Sequence, residues 1–593
     1  MSSSISPKIN QALIWALLLA CLSVLLFTNL STQGVLDLDE PVYFFSSFTD
    51  KIVIDSLLAG EKDQIVSRLQ ASPWPVVNEH WAKPLWHIFS VASLYLFMPK
   101  FQALLWLSGF SGLAAMFFYL LLTIRLVGAR TLAMILSFAM LALSPVFLYY
   151  SRLGIAHGLA WAFFLAGLYS YLLSREQGRN KYTFLAGILL GAAVATHPNS
   201  IPFVGMIFIY DGLTMLLRRQ KISKIAKRML VIGAGFLVPL LLCQALTWGL
   251  IQLAGPEAQK FRNAAYPYSN LDYLEQLANN FGFFDRPYKP WASTGHDLID
   301  VKWTSKLDAY IYRPWVFEGG LRLGLALAGC LAALARFGGG IKVFLKAPDR
   351  EQVWEQDLLL LLLLLIPFLY FFFGSAYGGS ERNILICWPI AALLGARWLM
   401  SLAERMPAGW AWAGAGGLIL LFAINLAPLY SVQSGFKQAA NWLKTKGQDQ
   451  VVFFQLANAG ANSLRVEGIK VKEVTTTKEL LAGGLPSYVV VSRRDSFFHP
   501  PRPHPLRELA DLMQSSLDPV FTTEFRPLPQ SYDFYRRGRY DLLDRLTLLI
   551  MGCKVKRNPL CVYLFDTDQM HKLMKQEQKG MPLLKSPKDC LDY

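Results

Sequence analysis

"QALIWALLLACLSVLLFTNL" at Gln11–Leu30 is followed, five residues on, by "LDLDEPVYFF" at Leu36–Phe45, so a long apolar run leads directly to Asp37, Asp39 and Glu40. A helix needs about 20 apolar residues to cross hydrocarbon ~30 Å thick, and the first stretch reads as a membrane span. The leading "MSSSISPK" resembles the start of a signal sequence, but no small-x-small cleavage pattern follows, and an uncleaved anchor is expected. Carboxylates lose hydration at such an exit, so acids crowded there need a reason other than stability.

The rest of the chain has the same character. Its 593 residues are 54% hydrophobic and 13% aromatic, and the mean hydropathy is positive, which describes a polytopic membrane protein. Apolar runs at 11–30, 101–124, 131–149, 155–174, 182–198, 200–217, 229–253, 319–337, 357–374, 383–401 and 411–430 make eleven candidate spans. The stretch Lys83–Met98 is shorter and carries Lys83 and His87. If it lies along the interface without crossing, the short loops of one face gather seventeen Lys and Arg residues against Arg152 and Arg382 opposite. That asymmetry is the positive-inside pattern, and it accounts for the net charge of +16 without nucleic acid.

The loops at 31–98 and 254–318 then face the exoplasmic side, together with everything beyond residue 430. Residues 1–430 read as the transmembrane domain and 431–593 as a small exoplasmic α/β domain, in which "VVFFQ", "KVKEV", "SYVVVS" and "CVYLF" alternate as strands do. Cys553 and Cys561 flank a turn-like "RNP" and are candidates for a local disulfide.

Under this topology Asp39, Glu40, His80, Lys83, Arg152, His157, His197, Glu381 and Arg382 all fall near exoplasmic span ends and are candidates to line one cavity. An acidic pair opening a loop and a lysine closing it suit a lipid phosphate: the lysine neutralises the phosphate while a carboxylate handles a proton. Tyr43 and other loop aromatics could stack on a sugar, although aromatics there also serve as interface anchors. A divalent metal is possible at His80, His157 and His197 with Glu79 or Glu40, but the spacings match no ligand signature.

"LDEPVY", "HWAKPLW", "SPVFLYYSR", "ATHPNS" and "SERNILICWPIAALL" occur in that order. In that order and context the first 430 residues resemble the GT-C glycosyltransferases, in particular protein O-mannosyltransferases and the lipid A aminoarabinose transferase. The sequence departs from the family pattern at Leu85, where a second proline is usual, at His157, where many members have aspartate, and at "RNILI" in place of "RYLLP". The resemblance implies an inverting transfer of a sugar from an undecaprenyl- or dolichyl-phosphate donor to an exoplasmic protein, lipid or glycan. It implies Asp39 as the base, with Glu40 orienting Asp39 or a sugar hydroxyl. Lys83 would hold the leaving phosphate, helped by Arg382 and Arg152. The expected location is a bacterial inner membrane with the site on its periplasmic face. The alternative is a lipid or sugar transporter, which would place its charges mid-span in broken helices.

Overall fold

Backbone groups in hydrocarbon must find partners within their own segment, and apolar runs of span length therefore fold as helices. A computed structural model describes residues 7–36, 39–76, 83–265, 311, 318–346, 353–374, 384–424, 426–430, 434–454, 458–474, 476–481, 484–492, 505–525 and 560–577. Within them the protein is a helical membrane assembly followed by a five-stranded sheet, as the sequence leads one to expect.

In the first part the helices are α1 Pro7–Phe27, α2 Asp39–Leu58, α3 Ile65–Gln70, α4 Pro84–Leu96, α5 Gln102–Leu126, α6 Thr131–Ala142, α7 Pro145–Arg152, α8 His157–Gln177 and α9 Asn180–Thr196. They continue as α10 Ile201–Leu217, α11 Ile222–Ala254, α12 Pro256–Ala265, α13 Gly320–Lys346, α14 Val353–Leu369, α15 Cys387–Ala403 and α16 Ala408–Ile424. All eleven expected runs lie on helix, but the count of eleven spans is not confirmed: six helices among the described residues are long and apolar enough to cross alone, and up to seven if the bent α6–α7 pair is one span. α4, at 1.5 Å per residue, reaches only ~20 Å and cannot cross by itself. α9 and α11 approach backbone to backbone: a Cβ on Gly187 would lie 2.2 Å from the Ile232 carbonyl oxygen, and one on Gly191 2.1 Å from that of Phe236. Glycines four apart give a helix this kind of close contact where there is no hydrophobic force to press helices together.

The α6–α7 pair bends by 61°. Such a break frees carbonyls at one helix end and N–H groups at the next, and here side chains satisfy them. Ser144 accepts from Phe147 N–H (3.1 Å), and Glu318 Oε1 accepts from Val146 N–H (3.1 Å) and from the Ser144 hydroxyl. Arg322 donates to Leu143 O (2.8 Å) and to Glu318 Oε2 (2.6 Å), and lies over the Phe422 ring at 4.0 Å.

The sheet strands are β1 Gln450–Phe454, β2 Lys470–Val474, β3 Tyr488–Ser492, β4 Phe521–Phe525 and β5 Leu560–Asp566, in the order β2-β1-β3-β5-β4. β1 pairs parallel with β2 and β3, while β5 runs antiparallel to β3 and β4. The period of two divides the strands between two cores: Val452, Phe454, Val489 and Val491 meet Met513 and Met570 on one face, and Val451, Phe453 and Val490 meet Phe436, Ala440 and Leu464 on the other. β4 was not foreseen, because "FTTEF" is short and carries little apolar content. Cys553 lies outside the described residues, as does the Cys561 side chain. The α/β unit is fastened to the segment after α1: Ser434 N–H donates to Gln33 O (2.7 Å) and Lys437 Nζ to Ser31 O (2.8 Å). Gly34 sits there at φ +71°, and a Cβ on it would lie 2.9 Å from those of Ser434 and Lys437.

The expected topology puts the exposed end of α8 on the cytoplasmic side and the sheet outside. Gly178 closes α8 at φ 64°, where a side chain is strained, so the neighbouring position serves better as a probe. In intact cells a membrane-impermeant thiol reagent should label Lys470→Cys and spare Gln177→Cys; the reverse pattern would invert the topology.

Candidate active site

α2 starts at Asp39, directly where the chain leaves the first membrane run. Of the acids there, Glu40 is fully buried: its Oε2 accepts from Leu36 N–H and its Oε1 from Gly154 N–H, each at 2.7 Å. One carboxylate thus joins the segment after α1, the first turn of α2 and the turn between α7 and α8. Backbone N–H groups buried at such a crossing need acceptors, and the two Glu40 carboxyl oxygens supply them. The Asp39 side chain lies outside the described residues, as do Asp37, Glu79, His80, Glu381 and Arg382.

One turn along α2 from Asp39, Tyr43 is bonded through its hydroxyl to Lys83 Nζ, which also lies 4.6 Å from the ring centroid. Lys83 precedes Pro84, and proline at the first helical position fixes where α4 begins. Trp86 stands edge-on to Tyr43 with centroids 6.5 Å apart. The structure therefore brings the lysine that closes the loop to the helix that opens with the acids.

Arg152 is occupied at another place. It is 3% exposed, donates to Leu25 O (2.9 Å) and Thr28 O (2.8 Å), and lies over Tyr430 at 4.9 Å. Leu25 lies in the last turn of α1 and Thr28 directly follows the helix, where carbonyls lack partners within the helix, and a cation there also opposes the helix dipole. Its own carbonyl accepts from Gln33 Nε2 at 2.8 Å.

His157, at the start of α8, and His197, just after α9, stack with centroids 4.5 Å apart and are both buried, and Tyr150 meets His157 edge-on at 5.3 Å. Asn199 N–H donates to His197 Nδ1 at 3.2 Å. Among the described residues no three His, Cys, Asp or Glu groups gather in a way that would hold a metal ion.

Asp50 on α2 and His87 on α4 were not singled out from the sequence, yet they form a buried pair with Nε2 and Oδ2 2.6 Å apart. The signal was present: Asp50 lies seven positions after Tyr43 and His87 four after Lys83, so each shares a helix face with the residue already chosen.

Fold and site together define a polytopic helical membrane protein with an α/β unit, whose polar residues gather at the start of α2. No family model matches the chain, and no curated protein matches it either. Among solved structures it is similar to the archaeal oligosaccharyltransferase AglB from Archaeoglobus fulgidus, in complex with an inhibitory peptide and a dolichol-phosphate, at 14% identity over 85% of this chain and 71% of that one (TM-score 0.49). It is also similar to ArnT from Cupriavidus metallidurans, at 13% identity over 81% and 93% (TM-score 0.48). The protein O-mannosyltransferase Pmt1–Pmt2 complex of S. cerevisiae matches at 17% identity over 43% and 35% (TM-score 0.31).

Glu40→Gln turns one oxygen into an amide that faces a backbone N–H. Leaving that donor without an acceptor should cost about 1–3 kcal/mol. A lower melting temperature in detergent checks it.

Proposed function

We propose that the protein transfers a sugar from a polyprenyl-phosphate donor to an acceptor on the exoplasmic side of the membrane. The observation that carries this is the Lys83–Tyr43 bond, which ties an ammonium to the residue one helical turn after Asp39 on α2. A cation and a carboxylate at a span exit are the two groups the reaction needs.

The acceptor's nucleophilic oxygen or nitrogen attacks the anomeric carbon from the face opposite the phosphate. The bond from that carbon to the phosphate oxygen breaks, the configuration inverts, and the lipid phosphate departs with the electron pair. Asp39 takes the proton from the acceptor, because a neutral hydroxyl is a poor nucleophile. Phosphate leaves as a stabilised anion and needs no protonating acid, so one carboxylate suffices where a glycosidase uses two. Lys83 offsets the charge that develops on the leaving phosphate. Glu40 holds the backbone around Asp39 through Leu36 and Gly154, leaving Asp39 as the base.

The bent α6–α7 pair is the feature a transporter would use. Its half-helix ends, however, are engaged by Glu318, Ser144 and Arg322 of the same chain, whereas a transporter aims such ends at its substrate.

Purified protein given radiolabelled polyprenyl-phosphate monosaccharides and an envelope extract as acceptor should transfer label. Asp39→Asn should lower kcat by at least ~10²-fold, the usual worth of a general base, while donor binding persists. Lys83→Gln should weaken binding of the lipid phosphate itself. Equal transfer by Asp39→Asn and the native chain would remove Asp39 from the mechanism.

A further inference from the structure

α2 and α4 are linked by three polar rungs in the same chain order: Tyr43 with Lys83, Asp50 with His87, and Asp55 with Tyr95. Pairs that ascend together in both helices require the helices to run parallel. The rungs differ in burial. Tyr95 is 47% exposed, whereas His87 is 7% and Asp50 2% exposed. His87 N–H donates to Lys83 O at 3.0 Å, so the imidazole and Lys83 belong to the same opening turn of α4.

We propose that Asp50 and His87 are positioning residues whose buried pair fixes the rotation and rise of α4 on α2, and thereby holds the Lys83 ammonium at Tyr43. The step from there to catalysis rests on Lys83 as the phosphate-binding cation. Sliding a helix by one residue moves it ~1.5 Å and turns it ~100°, which an apolar contact such as Tyr43 on Trp86 can absorb by repacking. A 2.6 Å bond between Nε2 and Oδ2 cannot absorb it, because a slip of that size separates the two buried atoms beyond bonding distance. The middle rung is therefore the one that selects the register, and the Lys83 rung follows from it. Neither Asp50 nor His87 touches the reacting atoms.

The test compares His87→Leu, which removes the rung, with His87→Gln, whose amide can still donate to Asp50. Two readouts are taken on the full-length protein in detergent: the acylation rate of Lys83 by an amine-reactive reagent, followed by peptide mass spectrometry, and KM and kcat for the lipid donor. Release of Lys83 from Tyr43 should raise its acylation rate at least fivefold in His87→Leu and leave it within twofold of native in His87→Gln. Donor KM should rise about tenfold in the first variant and be restored in the second, with kcat less affected. If His87→Leu does not fold, Asp50→Leu/His87→Leu replaces it, since both polar ends of the rung are then removed together. Equal Lys83 acylation in native, Leu and Gln proteins overturns the positioning role whatever the activity. Separated acylation rates in a protein that shows no donor-dependent transfer uphold the positioning role and overturn the transferase reading instead.

Discussion

Where chain segments cross inside a membrane protein, buried backbone N–H and C=O groups must find partners, and at the exit of α1 two charged side chains meet that demand. Glu40 accepts from Leu36 and Gly154, and Arg152 donates to Leu25 and Thr28. Between them they bind the end of α1, the start of α2 and the α7–α8 turn into one body. The α/β unit closes on the same segment through Ser434 and Lys437. Leu36 and Glu40, on either side of the start of α2, are therefore tied to each other and to the α7–α8 turn.

The far ends of the helices follow another scheme, centred on α14. Its Glu355 accepts a two-point contact from Arg218 (2.8 and 2.9 Å) and a further bond from Arg175 (3.1 Å), while its Asp357 takes Arg336 (3.0 Å) and Arg397 (2.8 Å). Asp211 on α10 holds Arg228 at 2.7 Å and Tyr171 at 2.7 Å. Glu355 thus ties α14 to α8 and α10, and Asp357 ties it to α13 and α15. Buried carboxylates of this kind add little net stability over an apolar core, yet removing one partner strands a charge, so they specify which helices are neighbours.

Much of this could be read in the sequence, for physical reasons that can be named. Span-length apolar runs must become helices, so the membrane part was legible, and alternation in "QVVFF" and "YVVVS" gave the sheet. The Lys and Arg excess marked one face, and Arg175, Arg218, Arg228 and Arg336 were counted in it as loop charge. What they pair with was not legible, because Glu355, Asp357 and Asp211 come from distant parts of the chain. The helix α2 was hidden for a related reason. Its Ser46, Ser47, Thr49, Asp50 and Ser56 are all buried, and a loop-like composition concealed a helix in which the Ser47 and Thr49 hydroxyls bond back to carbonyls four residues earlier. Arg152 and Glu40 were recognised as unusual from their position alone. Their partners are backbone atoms, which carry no sequence signature.

In the proposed reaction the adjacent acids at the start of α2 have different tasks, Glu40 holding the backbone and Asp39 taking the proton. A carboxylate whose two oxygens each accept from a backbone N–H already uses both of them to hold the chain. The proposed base is then a second carboxylate, and the preceding residue lies on backbone that α2 already fixes. The proposed lipid-phosphate donor would add the other constraint: its tail would keep the reactive carbon at the membrane boundary, so the base would have to be there too, at the cost of hydration. Glu40 ties the segment after α1 to α2, Tyr43 brings Lys83 to the same helix, and in the proposed reaction Asp39 stands where the donor's anomeric carbon would reach.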